Sequence, residues 1–273
     1  MSILGKFFKS DDTASTKNTE ILNALKILQN SSLPDSERVT ALTKLKSIFL
    51  TSSDKDDLKV ISQAILGAVT NGESLKIRES ALTTFDTMME NCLSSYAQYA
   101  LPAASRLKLS AVSGSAVPIL IEIARYRNED LKELRRMAFW TLSKIAPFAI
   151  SEERLGFLAH SLSDKTDTIR MAVICTFENL VRLSDDALKN RIARYSLSAL
   201  CQALDDSTIW VRAARALGGL GKYALGAAPF LYKRLDDEEG EWAASALRSI
   251  TGEPYGNKEK QKWEQWLQKN VVK

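Results

Sequence analysis

The chain is predicted to be an all-α solenoid of about six stacked helix pairs closed by a C-terminal capping helix. Three observations predict it: a shortage of chain-breaking residues, apolar spacing of three and four along most of the chain, and short polar turns that recur at similar intervals. The 273 residues include 12 Gly and 6 Pro, about 7% together against about 12% in an average chain. That shortage argues against a loop-rich β-sandwich, a collagen-like chain or a disordered one. No stretch alternates with period 2 between hairpin turns, so no strand is expected.

Taken in order, the first pair is expected at 19–29 and 35–50. Ile21, Leu25 and Leu28 share one helical face there, and Val39, Leu42, Leu45 and Phe49 share another. The same periodicity places later pairs at 56–70 with 74–92, 115–126 with 130–146, 151–162 with 166–183, 187–204 with 207–220, and 224–235 with 239–250. An extra helix, 94–109, is expected before Gly114. Residues 1–18 read as a flexible tail, 19–252 as the repeat array and 253–273 as the cap. Gly252 can end the preceding helix in the left-handed conformation, and Pro254 stops it from continuing. Trp263 and Trp266 are then expected to share the face that covers the last pair.

The turns inside the pairs carry a pattern. Asp164 lies six residues before Arg170, and Asp206 six before Arg212; each Arg follows a β-branched residue, Ile169 or Val211. Asp130 and Arg136 keep the step, Arg38 and Arg78 keep the Arg without the Asp, and Trp242 stands where an Arg would fall. These markers are spaced by 40, 58, 34, 42 and 30 residues, around the roughly 40 of two-helix repeats. An Asp there can cap the second helix, and an Arg fork can bond carboxylates and turn carbonyls. The segments resemble the HEAT-repeat signature. That resemblance implies a polar ladder between neighbouring repeats built from Asp130, Arg136, Asp164, Arg170, Asp206 and Arg212. The run Thr251 to Gly256, followed by Trp263 and Trp266, is similar to the terminal segment of bacterial HEAT-repeat proteins. The family resemblance implies an α-solenoid and, for most members, protein–protein interaction.

Composition narrows the chemistry. The single histidine, His160, lies on the apolar side of its helix, where it reads as a packed or partly exposed structural residue. With no second histidine, neither a metal site nor the paired His-Glu motifs of HEAT-like deoxyhypusine hydroxylases can form. No phosphate-binding glycine loop occurs, and Gly218, Gly219 and Gly221 read as a close-packed helix end. No catalytic residue, metal or cofactor is therefore expected. Cys92, Cys175 and Cys201 are odd in number, scattered and set in apolar stretches, which reads as reduced core thiols of a cytoplasmic protein. No signal-peptide region or myristoylation glycine is present at the N-terminus, and the longest apolar run, 217–232, is interrupted by Lys222.

The candidate binding residues are Arg135, Trp140 and Lys144 on the second helix of the third pair, with Trp210 and Arg215 on that of the fifth. In solenoids of this resemblance the second helices line the concave face, so exposed members would form a basic and aromatic strip for an acidic peptide or for nucleic acid. The competing reading makes them core and ladder residues. Substituting Trp140→Ala with Arg135→Ala is expected to weaken partner capture without much loss of melting temperature; unfolding would mark them as core. HEAT-like alkylpurine DNA glycosylases are the enzymatic rival, opposed by a net charge of only +4 and by the acidic run 236–239. Phycobilin-lyase-like HEAT proteins are a further one. Ile3, Leu4, Phe7 and Phe8, with Lys6 and Lys9, can dock on a partner or an anionic membrane surface, fold back on the first pair, or fray. The function expected is a scaffold that binds another protein on the second-helix face, with a DNA-binding or DNA-repair solenoid as the alternative.

Overall fold

The computed structural model describes residues 12–72, 74–93, 102–126 and 128–271. Those residues form helices and short turns, with no strand among them. The chain divides into two compact units, 1–149 and 150–273.

In the first unit, α1 (Asp12–Gln29) pairs with α2 (Asp35–Thr51), α3 (Lys55–Asn71) with α4 (Leu75–Leu93), and α5 (Ala103–Ala124) with α6 (Lys132–Ile145). The second helices α2, α4 and α6 pack in one row, and α3 packs on α5 in the other. The apolar spacing read from the sequence becomes the core between the rows, where Leu42, Leu45, Phe49, Ile61, Phe85, Val117 and Phe139 are buried. Asp54 starts α3 by accepting hydrogen bonds from the backbone N–H groups of Asp56 and Asp57, which satisfies two of the unpaired donors at that end.

Two boundaries differ from expectation. Helix α1 begins at Asp12, ahead of residue 19. The region 94–126 was expected as two helices broken near Gly114, yet residues 103–124 form one, with Pro118 inside it. A Cβ at Gly114 would meet nothing within 4 Å, so that glycine is an ordinary interior residue. Pro118 removes one N–H donor, but its face is held by burial of Leu109, Val112, Ala116, Val117 and Leu120. By length and composition α5, rather than 217–232, is the described helix that could also cross a membrane. In this fold its apolar face packs against α3 and α6.

In the second unit, α7 (Glu152–Ser161) and α8 (Asp167–Leu183) are followed by α9 (Asp186–Ala203) and α10 (Trp210–Leu220). The last pair is a 3₁₀ segment, Gly221–Ala227, running into α11 (Ala228–Lys233), with α12 (Gly240–Thr251) beside it. A single helix was expected over 224–235. Gly221 instead turns the chain at φ 58°, a conformation that glycine adopts without strain, and Ala224 leaves helical geometry at φ −102°, ψ 21°. Helices α8, α10 and α12 form the second-helix row, and α7, α9 and the 3₁₀ segment the first.

The cap is α13 (Lys260–Asn270), packed on α11. Gly252 ends α12 at φ 80°, its N–H bonded to the Arg248 carbonyl at 2.9 Å, as the sequence predicts. Trp263 is fully buried and its Nε1–H donates to the Gly256 carbonyl at 3.1 Å. Tyr255 meets its ring edge-on with centroids 5.2 Å apart. Its partner on the buried face is Leu267, four residues on, whereas Trp266 is only half-buried.

Candidate functional site

The Arg at the fourth position of α2, α4 and α8 has one job in each pair. Arg38 Nε donates to the Leu28 carbonyl (3.1 Å), Arg78 Nε to Val69 (2.8 Å) and Arg170 Nη1 to Asp164 (2.9 Å). Each thus supplies a donor to a carbonyl near the end of the preceding helix, where intrahelical partners run out. Arg170 also crosses to the next pair, its Nε bonding Asp206 Oδ2 at 2.6 Å, while Asp164 closes its own turn on the Thr166 N–H at 2.9 Å. Asp164, Arg170 and Asp206 are thereby joined in one run of polar contacts from turn to turn. In the first unit the cross-pair bond runs instead from Ser74 Oγ to Asp35 at 2.8 Å.

Burial alone would raise the Asp206 carboxyl, but hydrogen bonds from Arg170 and from the Thr208 N–H outweigh it and hold the group below its ordinary range. A carboxylate lowered on folding stabilises the protein above its unfolded pKa, about 3.9. That contribution is lost as pH falls through the folded value. The expected result is that Asp206→Asn flattens the pH dependence of the urea midpoint below about pH 4; an unchanged slope would mean the bond contributes nothing.

Three ladder assignments fail, for one reason. In α6 the fourth residue is Arg135, and it is Arg135 that is buried, at 6% exposure, behind the buried Leu134. Arg136 is on the outside, paired with Glu133 of its own helix, and Asp130 is exposed, its N–H bonded to Asn128 Oδ1 at 3.0 Å. In the fifth pair Ile209 and Trp210 donate their N–H groups to the Asp206 carbonyl, as Ile169 and Arg170 do to Thr166. Trp210 therefore takes the ladder position. It is 8% exposed, with the Arg234 guanidinium 5.7 Å over its ring, and so is a core residue rather than part of a binding strip. Arg212 is carried two residues further, onto the open face. The apolar residue before the Arg, seen in Ile77, Leu134 and Ile169, is no better guide than the six-residue step, because Val211 precedes the outward Arg212 and Glu37 the inward Arg38.

On the second-helix row of the first unit, Lys144 is occupied. Its Nζ lies 2.8 Å from both Asp86 Oδ1 and Glu90 Oε2 on α4, and Thr141 Oγ1 donates to Asp86 at 2.9 Å. With Arg135 buried, Trp140 is the remaining candidate there, and it is half-buried.

The second unit repeats the arrangement with a different outcome. Glu178 stands eight residues after Arg170, as Asp86 stands after Arg78. Arg212 Nη1 donates to Glu178 Oε2 at 2.5 Å. Arg215 Nε is 3.1 Å from Oε1, close enough for an ion pair but not aligned for a hydrogen bond. The other face of the Arg215 guanidinium lies 5.4 Å over the ring of Trp242, which is 44% exposed. Arg215 is thus on the open surface beside Arg212, and Glu178 and Trp242 are neighbours that the sequence did not single out. Close approach of the helices makes this possible. A Cβ on Gly218 would lie 3.1 Å from Ala246 Cα, and one on Gly219 3.3 Å from Val181 Cβ. The sequence did hold a cue, because Ala213-Ala214-Arg215-Ala216-Leu217 and Ala243-Ala244-Ser245-Ala246-Leu247 align with a 30-residue step that puts Trp242 at the position of Arg212.

His160 is exposed rather than packed on an apolar face. The three cysteines are buried, and burial raises their thiols, Cys201 to about 11. Thiolate is the reactive form, so native protein is expected to take up maleimide many-fold more slowly than urea-unfolded protein; equal rates would contradict the packing. Ile3, Leu4, Phe7 and Phe8 lie outside the described residues.

No protein-family model matches the chain, and no curated protein does. Solved structures match most of its length. A designed armadillo repeat protein in complex with the peptide (KR)4 is 17% identical, with 85% of this chain and all of that one covered and a TM-score of 0.59. An engineered protein from the Northeast Structural Genomics Consortium is 16% identical, covering 88% and 97%, at 0.57. An archaeal HEAT-like repeats protein from Thermococcus onnurineus NA1 is 15% identical, covering 88% and 90%, at 0.53. These likenesses show the fold, an all-α repeat solenoid of the HEAT and armadillo kind.

Proposed function

We propose that the chain is a binding scaffold, without catalysis, that holds an acidic and apolar peptide segment of another protein across α8, α10 and α12. The observation that carries this reading is Trp242, a large apolar ring left exposed with Arg215 stacked on it. Burying such a ring against a partner is favourable by its apolar area. Arg212 and Arg215 are half-exposed while the carboxylate they share is largely covered, so their outward donors are available to a second carboxylate. Trp and Arg are the side chains most enriched among energetically dominant contacts. The peptide carried by the designed armadillo protein is basic, and a face bearing two Arg and one Glu selects the opposite charge. The nucleic-acid alternative is less well supported, because Glu178 offsets part of the charge of Arg212 and Arg215 and leaves this face with little excess positive charge for phosphate.

The test is selection of a displayed peptide library on the full chain. Enriched peptides are expected to combine an acidic residue with an aromatic or aliphatic one. Failure to enrich any sequence, or enrichment of basic peptides, would overturn the reading.

A further inference from the structure

The first-helix row of the second unit carries a different surface. Among the described residues, Tyr195, Leu225 and Phe230 are three of the six exposed large apolar side chains, Leu225 at 43% and Phe230 at 42%. They lie on consecutive packed elements. The 3₁₀ segment packs on α9, with Gly226 near enough to Leu197 that a Cβ would sit 3.5 Å from its Cδ2, and it runs directly into α11. Cations are interleaved with the apolar groups: Arg194 over the Tyr195 ring (6.0 Å), Lys222 over Tyr223 (5.2 Å) and Lys233 over Phe230 (5.7 Å), with Arg191 exposed one turn before Tyr195. Of the acids nearby, Asp186 lies 3.7 Å from the Lys222 ammonium and Glu152 accepts from the Tyr195 hydroxyl at 2.6 Å. Arg191, Arg194 and Lys233 have no carboxylate partner among the described residues.

We propose that this face docks on an anionic lipid surface, with Leu225 and Phe230 entering the headgroup region and Arg191, Arg194, Lys222 and Lys233 attracted to the lipid charge. The two most exposed apolar side chains of this face, Leu225 and Phe230, sit at the corner where the 3₁₀ segment meets α11. A side chain presented at a corner can enter an interface without a shaped receptor groove, and basic residues around an apolar tip are the combination that interfacial binding uses. An extended peptide would instead need a continuous groove. Single-stranded nucleic acid would use stacking faces, and here one face of each ring, Tyr195, Tyr223 and Phe230, is already taken by a cation.

The experiment is co-sedimentation of the full chain with phosphatidylcholine vesicles and with vesicles that also contain phosphatidylserine. Binding is expected to the second only, and to weaken as salt rises. Leu225→Ser with Phe230→Ser, and separately Arg194→Glu with Lys233→Glu, are each expected to reduce it about tenfold or more, with an unchanged melting temperature because all four side chains are on the surface. Phe7→Ser with Phe8→Ser should leave it intact. Equal binding to both vesicle types, no effect of either patch variant, or loss only with the Phe7 and Phe8 variant would overturn the proposal. So would patch-dependent binding to an acidic peptide or an oligonucleotide without binding to vesicles.

Discussion

Replacing Trp263 by alanine is expected to lower the unfolding free energy by about 3–5 kcal/mol, the usual range for truncating a fully buried large aromatic. The side chain is completely covered, and it is the anchor through which α13 meets the rest of its unit. Its loss leaves a cavity and removes the Nε1–H bond to the part-buried Gly256 carbonyl, which adds to the cost. A terminal repeat exposes one side of its core unless something caps it, and the effect should concentrate in the last pair. Urea unfolding followed by circular dichroism is the check. Trp266→Ala, half-buried in the same helix, should cost less than about 1 kcal/mol. Similar losses from both would show that the two rings share the burial, as the sequence alone suggested, and that the assignment of the anchor to Trp263 is wrong.

The second large effect concerns binding. For a peptide selected on the chain, Trp242→Ala with Arg215→Ala is expected to reduce affinity about 100-fold or more, while the melting temperature stays nearly constant. Trp and Arg truncations at the centre of an interface commonly cost about 2 kcal/mol or more each, and 1.4 kcal/mol is a factor of ten. The two should not be additive, because Arg215 is oriented by the Trp242 ring and by Glu178. A double-mutant cycle is expected to show a coupling of about 0.5 kcal/mol or more. Arg215→Lys keeps the charge and loses the planar fork, so it should recover little of the affinity. The pair Arg135 and Trp140 behaves differently. Arg135 is buried, so its truncation should destabilise the first unit and report on folding rather than on capture.

The fold was legible because its determinants are local and periodic. Few glycines and prolines, apolar spacing of three and four, and Gly252 at a left-handed helix end are each readable without knowing what packs on what. The departures arise where packing overrides a local signal. Gly114 reads as a break, yet a continuous buried face carries α5 through it and through Pro118. The six-residue step from Asp to Arg identified Arg170 correctly and misplaced Arg136 and Arg212, because which residue turns inward depends on where the helix starts. At α10 that start is shifted, which buries Trp210 and turns Arg212 outward. Trp242 reads as a gap in the ladder, although the Ala-Ala-x-Ala-Leu alignment puts it at the position of Arg212; that it lies against Arg215 follows from the packing of α12 on α10.

The most direct test of the binding face is hydrogen–deuterium exchange of the full chain with and without a selected peptide. Slowed exchange is expected across α8, α10 and α12, around Glu178, Arg212, Arg215 and Trp242, with α7, α9 and α11 unchanged. Protection confined to the first-helix row, or to the first unit, would contradict it.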